Sequence, residues 1–343
     1  MSQQPVTHFQ RILSQATGLD MAALVVRERP ALAYQSNRLY DFWAGDRHLV
    51  AKEYLQPDEL AVAPAREFNA LQRLAGLDVA PQPVFYDPAL GPVVVYAYME
   101  GEMWNRKRPL PAQLRQLADL WLQVNALPVE SLWLSRGHDA SPIELASRFR
   151  VWLQTYRAWS VAHYPPAVPL ADLALDVLQK RLPVFASLER LSPILRFCRS
   201  DNRFANVIAR PDGRLGMVDW EDSGLRDPAN DVADLLTHAN QEDLLDEQDW
   251  RPFLDHYLPV HQAADAAFAE RLHGYQAIFP LFWLALLLNA GARKAQAGAL
   301  SGWEINEMPA NERLRRYLAR ALAWPDASFA THLASLAASR FFP

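Results

Sequence analysis

An amide and a carboxylate, Asn206 and Asp219, occupy the two ends of a predicted β-hairpin. Two strand-like runs, residues 206–209 and 215–219, flank the sequence Pro211-Asp212-Gly213, a combination that favours a tight turn. If Asp212 and Gly213 take the two turn positions, Asn206 and Asp219 face each other, with Cβ atoms about 4.5–5.5 Å apart. Amide and carboxylate oxygens at that separation can share one hard cation. The spacing therefore predicts a Mg²⁺ site formed by Asn206 and Asp219.

Asp201 is the residue of this segment whose position suits proton transfer. It lies five residues before Asn206, in a polar loop that follows a largely apolar run. A carboxylate in such a loop can accept the proton of a substrate hydroxyl. Each of the three residues, taken alone, is more often a hydrogen-bonding loop residue than a catalytic one. Their joint spacing is what favours chemistry.

A second charged pair is predicted in the first hundred residues. Glu67 shares one face of a predicted helix with Leu71 and Leu74, so its carboxylate lies on the stripe that should be buried. Such a charge needs a cation. Lys52 shares the apolar face of a predicted strand with Val50 and Tyr54 and is the natural partner. The alternative is a surface lysine beside a frayed helix.

The order of these residues resembles the aminoglycoside phosphotransferase and choline kinase group of small-molecule kinases. Asp-x4-Asn followed by Val-Asp-Trp at the end of a hairpin is the arrangement of the catalytic loop and metal-binding Asp in the kinase fold. The segments that carry the resemblance are residues 199–206, 217–221 and 224–233. It implies ATP and Mg²⁺ as cofactors, Asp201 as the catalytic residue, Asn206 and Asp219 as metal ligands, and Lys52, held by Glu67, on the α- and β-phosphates.

The same resemblance implies further contacts to the nucleotide. A Ser/Asn turn containing Ser36 and Asn37 stands where backbone N–H groups cover the phosphates, although an ordinary hairpin loop is a comparable reading. Backbone groups of Tyr98, Met99 and Glu100 stand where adenine is bound.

Asp227, followed by Pro228, has the pattern of a helix N-cap. That structural role is sufficient to explain the pair. The resemblance implies that Asp227 and Asp231 also support the catalytic loop without doing chemistry themselves.

The predicted fold class is α+β, a protein-kinase-like two-lobed fold with a small antiparallel-sheet N-lobe and a larger, mainly helical C-lobe. An amphipathic first helix, strand-forming runs and a second helix over residues 59–77 fill residues 1–101, the predicted nucleotide-binding lobe. Helical periodicity dominates residues 102–343, which should hold the catalytic loop and the acceptor site. The predicted hinge spans about residues 97–104.

Arg199 stands where the resembling family usually carries His. Because a guanidinium is permanently charged, Arg199 must find an acid or solvent, and Glu221 and Asp222 are the candidate partners. The primary hypothesis is an ATP-dependent kinase that phosphorylates a hydroxyl of a small, amino-bearing molecule. The alternative is a nucleotide-binding pseudokinase with a regulatory or binding role.

Composition limits the other classes of function. The net charge of −5 argues against general nucleic-acid binding, and the single cysteine excludes an intrachain disulfide. The most lipid-like stretch, residues 277–288, is shorter than a bilayer span and is predicted to be a buried helix. We therefore expect a cytoplasmic protein with no membrane partner.

Three features bear on the acceptor, and each has a structural alternative. Five acids within residues 242–249 could attract a cationic substrate or form a solvated surface. Aromatic residues at helical spacing within residues 152–163 could enclose a quaternary ammonium or belong to the core. A basic cluster at residues 105–108 could favour an anionic substrate or solubilise a loop. An amino alcohol, an aminoglycoside and a neutral sugar all stay open as acceptors.

Overall fold

The computed structural model describes residues 4–20, 24–30, 37–57, 60–136, 141–325 and 329–343, with side chains from residue 9 onward. Backbone contacts divide the chain into two compact units. The first comprises Met1–Arg136 and Arg196–Leu225, and the second Gly137–Leu195 and Arg226–Pro343. The hinge predicted at residues 97–104 lies within the first unit and stays a prediction, as does the boundary between residues 101 and 102.

The first unit is built on a five-stranded antiparallel sheet with the strand order β1-β2-β3-β5-β4. Its elements in chain order are α1 (Gln4–Thr17), β1 (Val25–Glu28), β2 (Asn37–Ala44), β3 (Arg47–Tyr54), α2 (Ala63–Leu74), β4 (Pro83–Tyr86) and β5 (Val93–Ala97). The predicted first helix and the predicted strands are present, and the helix predicted over residues 59–77 is shorter than expected. It begins at Ala63, with a proline in its first turn, whereas Asp58 and Glu59 lie outside the described residues.

Strand β3 positions the lysine of the predicted charged pair. It pairs with β2 on one side and β5 on the other, so it is a central strand. Val50, Lys52 and Tyr54 are each only 3% exposed, as their shared apolar face predicted. Helix α2 buries Glu67 together with Leu71 and Leu74.

The catalytic segment belongs to the same unit. Its elements are β6 (Glu102–Met103), α3 (Pro111–Asn125), β7 (Arg196–Cys198), β8 (Val207–Ala209), β9 (Leu215–Met217) and β10 (Gly224–Arg226). Strands β6, β8 and β9 form a three-stranded sheet, and β7 pairs with β10. Helix α3 anchors β7, because the side-chain amide of Asn125 donates to the carbonyl of Phe197 at 2.9 Å.

Gly101 is required by the approach of residues 97–103 to strand β8. Its φ is +143°, and a Cβ at this position would lie 2.5 Å from both the carbonyl oxygen of Ala209 and the Cγ2 of Ile208. We expect Gly101→Ala to destabilise the protein by about 2 kcal/mol, because both the backbone conformation and the contact become unfavourable. Calorimetry should show a melting temperature lowered by roughly 5 °C.

Gly76→Ala is the matched control for that substitution. Among the described residues, no atom lies within 4 Å of the Cβ that alanine would add at this position. Its melting temperature should therefore stay close to that of the wild type. An unchanged melting temperature for Gly101→Ala would show that this close approach is not needed.

The second unit is helical. It contains α4 (Pro142–His163), α5 (Val168–Arg190), α6 (Pro228–Thr237), α7 (Arg251–Ala264), α8 (Phe268–Gln296), β11 (Glu304–Ile305), β12 (Met308–Pro309), α9 (Ala310–Ala323) and α10 (Phe329–Ser335). Helix α8 is long and apolar enough to cross a membrane, but 67% of its most apolar 18-residue stretch is buried inside the protein. Such burial is typical of a core helix, as predicted for residues 277–288.

Helix α6 begins as its sequence predicts. The Asp227 carboxylate accepts a hydrogen bond from the backbone N–H of Ala229 at 3.0 Å, and Pro228 occupies the first turn. Arg271 donates to both oxygens of the same carboxylate, at 2.8 and 3.2 Å. Asp227 is therefore an N-cap residue that is also neutralised within its own unit, while support of the catalytic loop by Asp227 and Asp231 stays a prediction.

Candidate active site

The catalytic loop is anchored on both sides of Asp201. Phe197 and Cys198 precede it and Phe204 follows it, and all three are fully buried. The Asp201 side chain is 23% exposed, so its carboxylate reaches the surface of the site while the backbone around it is held. The amide Nδ2 of Asn206 lies 3.2 Å from Oδ2 of Asp201. The loop thus places the predicted catalytic carboxylate beside the predicted metal ligand.

The hairpin brings Asn206 and Asp219 together, but not in the register that was predicted. Val207 pairs with Met217 and Ala209 with Leu215, so the loop is one residue longer than a two-residue turn. Gly213 adopts φ +81°, the left-handed conformation typical of a three-residue hairpin loop. The prediction that Asp212 and Gly213 alone form the turn is therefore wrong.

In the observed register Asn206 lies opposite Val218, whose N–H donates to the Asn206 carbonyl at 3.0 Å. Asp219 comes one residue later and has φ +68°, an uncommon conformation for a residue with a side chain. This backbone conformation turns its carboxylate back toward Asn206, with Nδ2 to Oδ2 at 3.4 Å. The two predicted ligands meet because of local backbone strain and not because of strand register.

Lys52 lies at the centre of a buried cluster of acids. Its Nζ contacts Glu67 Oε2 at 2.8 Å, Asp219 Oδ1 at 2.5 Å and Glu221 Oε2 at 2.9 Å. The predicted ion pair between Lys52 and Glu67 is therefore present. Burial alone would lower the pKa of Lys52, but the carboxylates of Asp219 and Glu67 raise it well above its ordinary value. The lysine is charged at every physiological pH.

The positive charge near Glu67, Asp219 and Glu221 is too small to neutralise all three carboxylates. Burial and the nearby carboxylates of Asp219 and Glu67 raise the pKa of Glu221 to about 7. At Asp219 burial would have the same effect, but Lys52 and Arg203 hold its pKa below the ordinary value. Carboxylate oxygens of Glu67, Asp219 and Glu221 lie within 4.8 Å of one another. Carboxylate oxygens are donors that suit Mg²⁺, and the predicted metal ligand Asp219 supplies one of the three groups.

Asn37 contacts this cluster through its side chain. Its Nδ2 donates to Glu221 Oε2 at 2.8 Å, and the residue is buried. Ser36, its predicted companion in the phosphate-covering turn, lies outside the described residues. The role of both residues at phosphates stays a prediction.

Residues Tyr98, Met99 and Glu100 follow β5. The backbone N–H of Tyr98 donates to the carbonyl of His48 at 3.0 Å, and the Tyr98 ring stacks on His48 at 4.0 Å. These three residues line an open cavity, together with residues from 78–82 and 210–212. Their predicted contact with adenine stays a prediction, and the N–H of Tyr98 already has an acceptor.

Arg199 has partners other than the acids predicted for it. Its Nη2 donates to the carbonyls of Val218 and Asp219, both at 2.9 Å. Glu221 pairs with Lys52, and Asp222 lies 3.3 Å from Arg136. The guanidinium thus holds the backbone carbonyls on both sides of the Asp219 α-carbon. A fork of N–H donors can bind two carbonyls at once, so Arg199 stabilises the turn that aims the Asp219 carboxylate.

Arg203 is a residue of the site that the sequence analysis did not single out. Its Nε lies 2.9 Å from Asp201 Oδ2, and its Nη2 lies 3.3 Å from Asp219 Oδ2. The carboxylates of Asp201 and Asp219 raise its pKa against the effect of burial. The sequence could have indicated this role. Arg203 lies in the motif between the two expected functional acids, Asp201 and Asp219, and a permanent cation in that position is expected to pair with them.

The acid-rich segment proposed to attract a cationic substrate is largely neutralised within the second unit. The Glu242 and Asp243 carboxylates pair with Arg313 at 2.7 and 2.9 Å. Asp246 and Asp249 each accept a hydrogen bond from the other's backbone N–H. This segment therefore has a structural role, but it is not the predicted solvated face, because the Glu242 side chain is fully buried and residues 242–249 contain no helix.

The aromatic stripe of α4 also supports its structural alternative. Tyr156 is fully buried and donates to the carbonyl of Phe341 at 2.5 Å. Trp159 is 7% exposed and packs against Phe342, with ring centroids 5.1 Å apart. These rings belong to the core of the second unit. In the basic cluster at 105–108, Lys107 forms an exposed ion pair with Glu102.

Solved structures of small-molecule kinases share this fold. A choline/ethanolamine kinase family protein from Mesorhizobium loti is 20% identical, with a TM-score of 0.62 over 96% of this chain and 99% of its own. Choline kinase LicA from Streptococcus pneumoniae is 19% identical, with a TM-score of 0.57 over 96% and 99%. The ADP-bound aminoglycoside phosphotransferase APH(2″)-Ib is 15% identical, with a TM-score of 0.58 over 90% and 98%. The predicted α+β, protein-kinase-like fold is confirmed.

The sequence itself identifies the family. No curated protein matches the chain in a sequence search. The phosphotransferase enzyme family matches residues 28–270, well over half of the chain. The chain therefore belongs to the phosphotransferase enzyme family, a group of small-molecule kinases.

Proposed function

We propose that this protein transfers the γ-phosphate of ATP to a hydroxyl group of a small molecule, with Asp201 as the catalytic residue. The observation that carries the proposal is one hydrogen-bonded set: Asn206 Nδ2 lies 3.2 Å from the Asp201 carboxylate and 3.4 Å from that of Asp219. A proton acceptor next to two ligands for a hard cation is the arrangement that phosphoryl transfer requires.

Each residue of the site has a task in this proposal. Lys52, charged and held by Glu67, binds the α- and β-phosphates once ATP displaces part of its acidic surroundings. Asp201 orients the acceptor hydroxyl and takes its proton. Asn206 and Asp219 would hold Mg²⁺, which when bound supplies charge neutralisation at the phosphates. Catalysis then consists mostly of positioning and electrostatic stabilisation.

The acceptor belongs to the proposal as a class. The related structures include proteins named as choline kinase and as aminoglycoside phosphotransferase, whose names indicate acceptors with amino groups. We therefore propose a small, amino-bearing alcohol, and amino alcohols, aminoglycosides and neutral sugars should be compared as acceptors.

Nucleotide binding should depend on Mg²⁺ through Asp219. Titration of ATP into the protein, with and without MgCl₂, should show higher affinity with the metal, and Asp219→Asn should abolish that gain. The variant should fold, because Lys52 keeps Glu67 and Glu221 as partners. Asp176→Asn, at a carboxylate 52% exposed on helix α5, is the matched control and should keep the gain.

Transfer assays across the acceptor panel decide between the two functional hypotheses. Phosphorylation of any hydroxyl compound supports the kinase. Mg²⁺-dependent ATP binding without transfer to any compound of a broad panel would favour a pseudokinase. A protein that binds no nucleotide would contradict both.

A further inference from the structure

Arg203 connects the two carboxylates that the proposed function uses for different tasks. Its Nε contacts Oδ2 of Asp201 at 2.9 Å and its Nη2 contacts Oδ2 of Asp219 at 3.3 Å. The amide nitrogen of Asn206 contacts the same two oxygens. One guanidinium therefore balances the proposed proton acceptor and a proposed metal ligand together.

The bonding of this guanidinium is incomplete. The Nη2 donates to Asp219, whereas the buried Nε, although close to Asp201, has no acceptor in hydrogen-bonding geometry among the described residues. A buried N–H without a well-aligned acceptor is unfavourable. The side chain as a whole is 42% exposed, so it has room to change partners. Two carboxylates hold this cation in the site, and its contact with Asp201 is an ion pair of poor hydrogen-bond geometry.

The chemistry of a guanidinium indicates which ligand would satisfy it. Its planar fork of N–H groups matches phosphate oxygens as well as carboxylates. Within the described part of the chain, the Asp219 carboxylate contacts Lys52, whose side chain is 4% exposed and bound to three acids, and Arg203, whose side chain is 42% exposed. Lys52 is thus suited to the inner phosphates. Arg203, which contacts Asp201, is suited to the phosphate next to the acceptor.

We propose that Arg203 is a catalytic residue that leaves the carboxylates of Asp201 and Asp219 to bind the γ-phosphate of ATP, and that it neutralises this group during its transfer. The inference rests on the proposed function. It assigns Arg203 two states: a partner of both acids without nucleotide, and a partner of the γ-phosphate with it.

The reaction step balances as follows. The acceptor oxygen forms a bond to the γ-phosphorus as the bond between that phosphorus and the β–γ bridging oxygen breaks. The electron pair of the broken bond stays on ADP. The hydroxyl proton moves to Asp201, which Arg203 no longer neutralises, and is then released to solvent. Arg203 stays with the transferred phosphoryl group and takes no part in the proton transfer.

Binding of ATP and of ADP distinguishes this role from a structural one. We expect Arg203→Ala to weaken ATP binding about tenfold in the presence of Mg²⁺, the loss of one charge-assisted contact, while ADP binding stays within about twofold. Turnover on an accepted substrate should fall about 10²-fold, the usual size for loss of one donor to a developing charge. Calorimetric titration and initial rates measure these effects.

Two further variants make the test specific. Arg203→Lys keeps the charge without the fork, and its preference for ATP over ADP should lie between those of the wild type and Arg203→Ala. Arg157→Ala removes an arginine of helix α4 whose side chain is similarly exposed, at 43%, and pairs with Asp172. Its affinities and turnover should equal those of the wild type.

The failure of this inference is distinguishable from that of the proposed function. If Arg203→Ala binds ATP and ADP with wild-type affinities, or loses affinity for both equally, Arg203 has no contact with the γ-phosphate and the inference is overturned. Phosphate transfer by the wild-type protein would still support the proposed function in that case. A wild-type protein that binds neither nucleotide would overturn both.

Discussion

Asp201→Asn should reduce the turnover number of phosphate transfer about 10³-fold and leave ATP affinity within about twofold of the wild type. Removal of a positioned general base typically reduces the rate 10²–10⁴-fold, and asparagine has the same shape but cannot accept the proton. Its amide can still fill the place of the carboxylate beside Asn206. Steady-state rates at saturating ATP, together with ATP titration, check both parts.

The Asp201 carboxylate is 23% exposed and its loop is anchored by fully buried residues, so the variant should melt within about 2 °C of the wild type. Full turnover by Asp201→Asn, with melting temperature and ATP affinity unchanged, would exclude Asp201 as the catalytic residue. A loss of ATP binding as large as the loss of turnover would instead assign Asp201 to nucleotide binding. The two quantities therefore have to be measured on the same preparation.

The sequence was sufficient to predict which residues meet in the site, but not how they meet. Asn206 and Asp219 were brought together by an assumed two-residue turn, whereas the observed register is shifted by one residue. Asn206 and Asp219 are nevertheless in contact, because Asp219 adopts a positive φ. Aspartate adopts this conformation more often than most residues, so the sequence does not mark the position as strained. A correct pair was thus predicted from a wrong turn.

Partners distant in sequence were harder to predict. The pairing of Lys52 with Glu67 followed from two amphipathic patterns, because each pattern placed one charge on an apolar face. Arg199 and Glu221 belong to no such pattern, so their partners could not be predicted in the same way. In the structure Arg199 donates to two backbone carbonyls and not to an acid, and Glu221 pairs with Lys52. Local sequence shows that a charge must be neutralised, but the tertiary fold decides which group neutralises it.

In the acid-rich segment at residues 242–249, too, the sequence did not reveal which groups neutralise the charge. We predict the largest effect on stability for a substitution of its first residue, Glu242. The side chain of Glu242 is fully buried between three arginines: Arg313 at 2.7 Å, Arg316 at 2.9 Å and Arg320 at 3.0 Å. Arg313 is itself fully buried. Burial would raise the pKa of Glu242, but the three guanidinium groups hold it below the ordinary value.

Glu242→Gln should lower the stability of the protein by about 3–5 kcal/mol at pH 7, the usual effect of removing one partner of a buried ion pair. Glutamine keeps one acceptor oxygen but turns an NH₂ group toward arginine donors, and Arg313 keeps only Asp243 as a carboxylate partner. Calorimetry should show a melting temperature lowered by roughly 5–15 °C. Glu247→Gln, an exposed acid of the same segment, should melt within about 2 °C of the wild type.

The effect should also depend on pH with a defined sign. Because the pKa of Glu242 is lower in the folded protein than its ordinary value of 4.5, its carboxylate stabilises the fold fully above about pH 4.5–5, and this contribution is lost as the pH falls through the folded pKa. The difference in melting temperature between wild type and Glu242→Gln should therefore be constant from pH 6 to 8 and should shrink below pH 4.5. A difference that grows on acidification would show that the three arginines do not hold this carboxylate in its charged form.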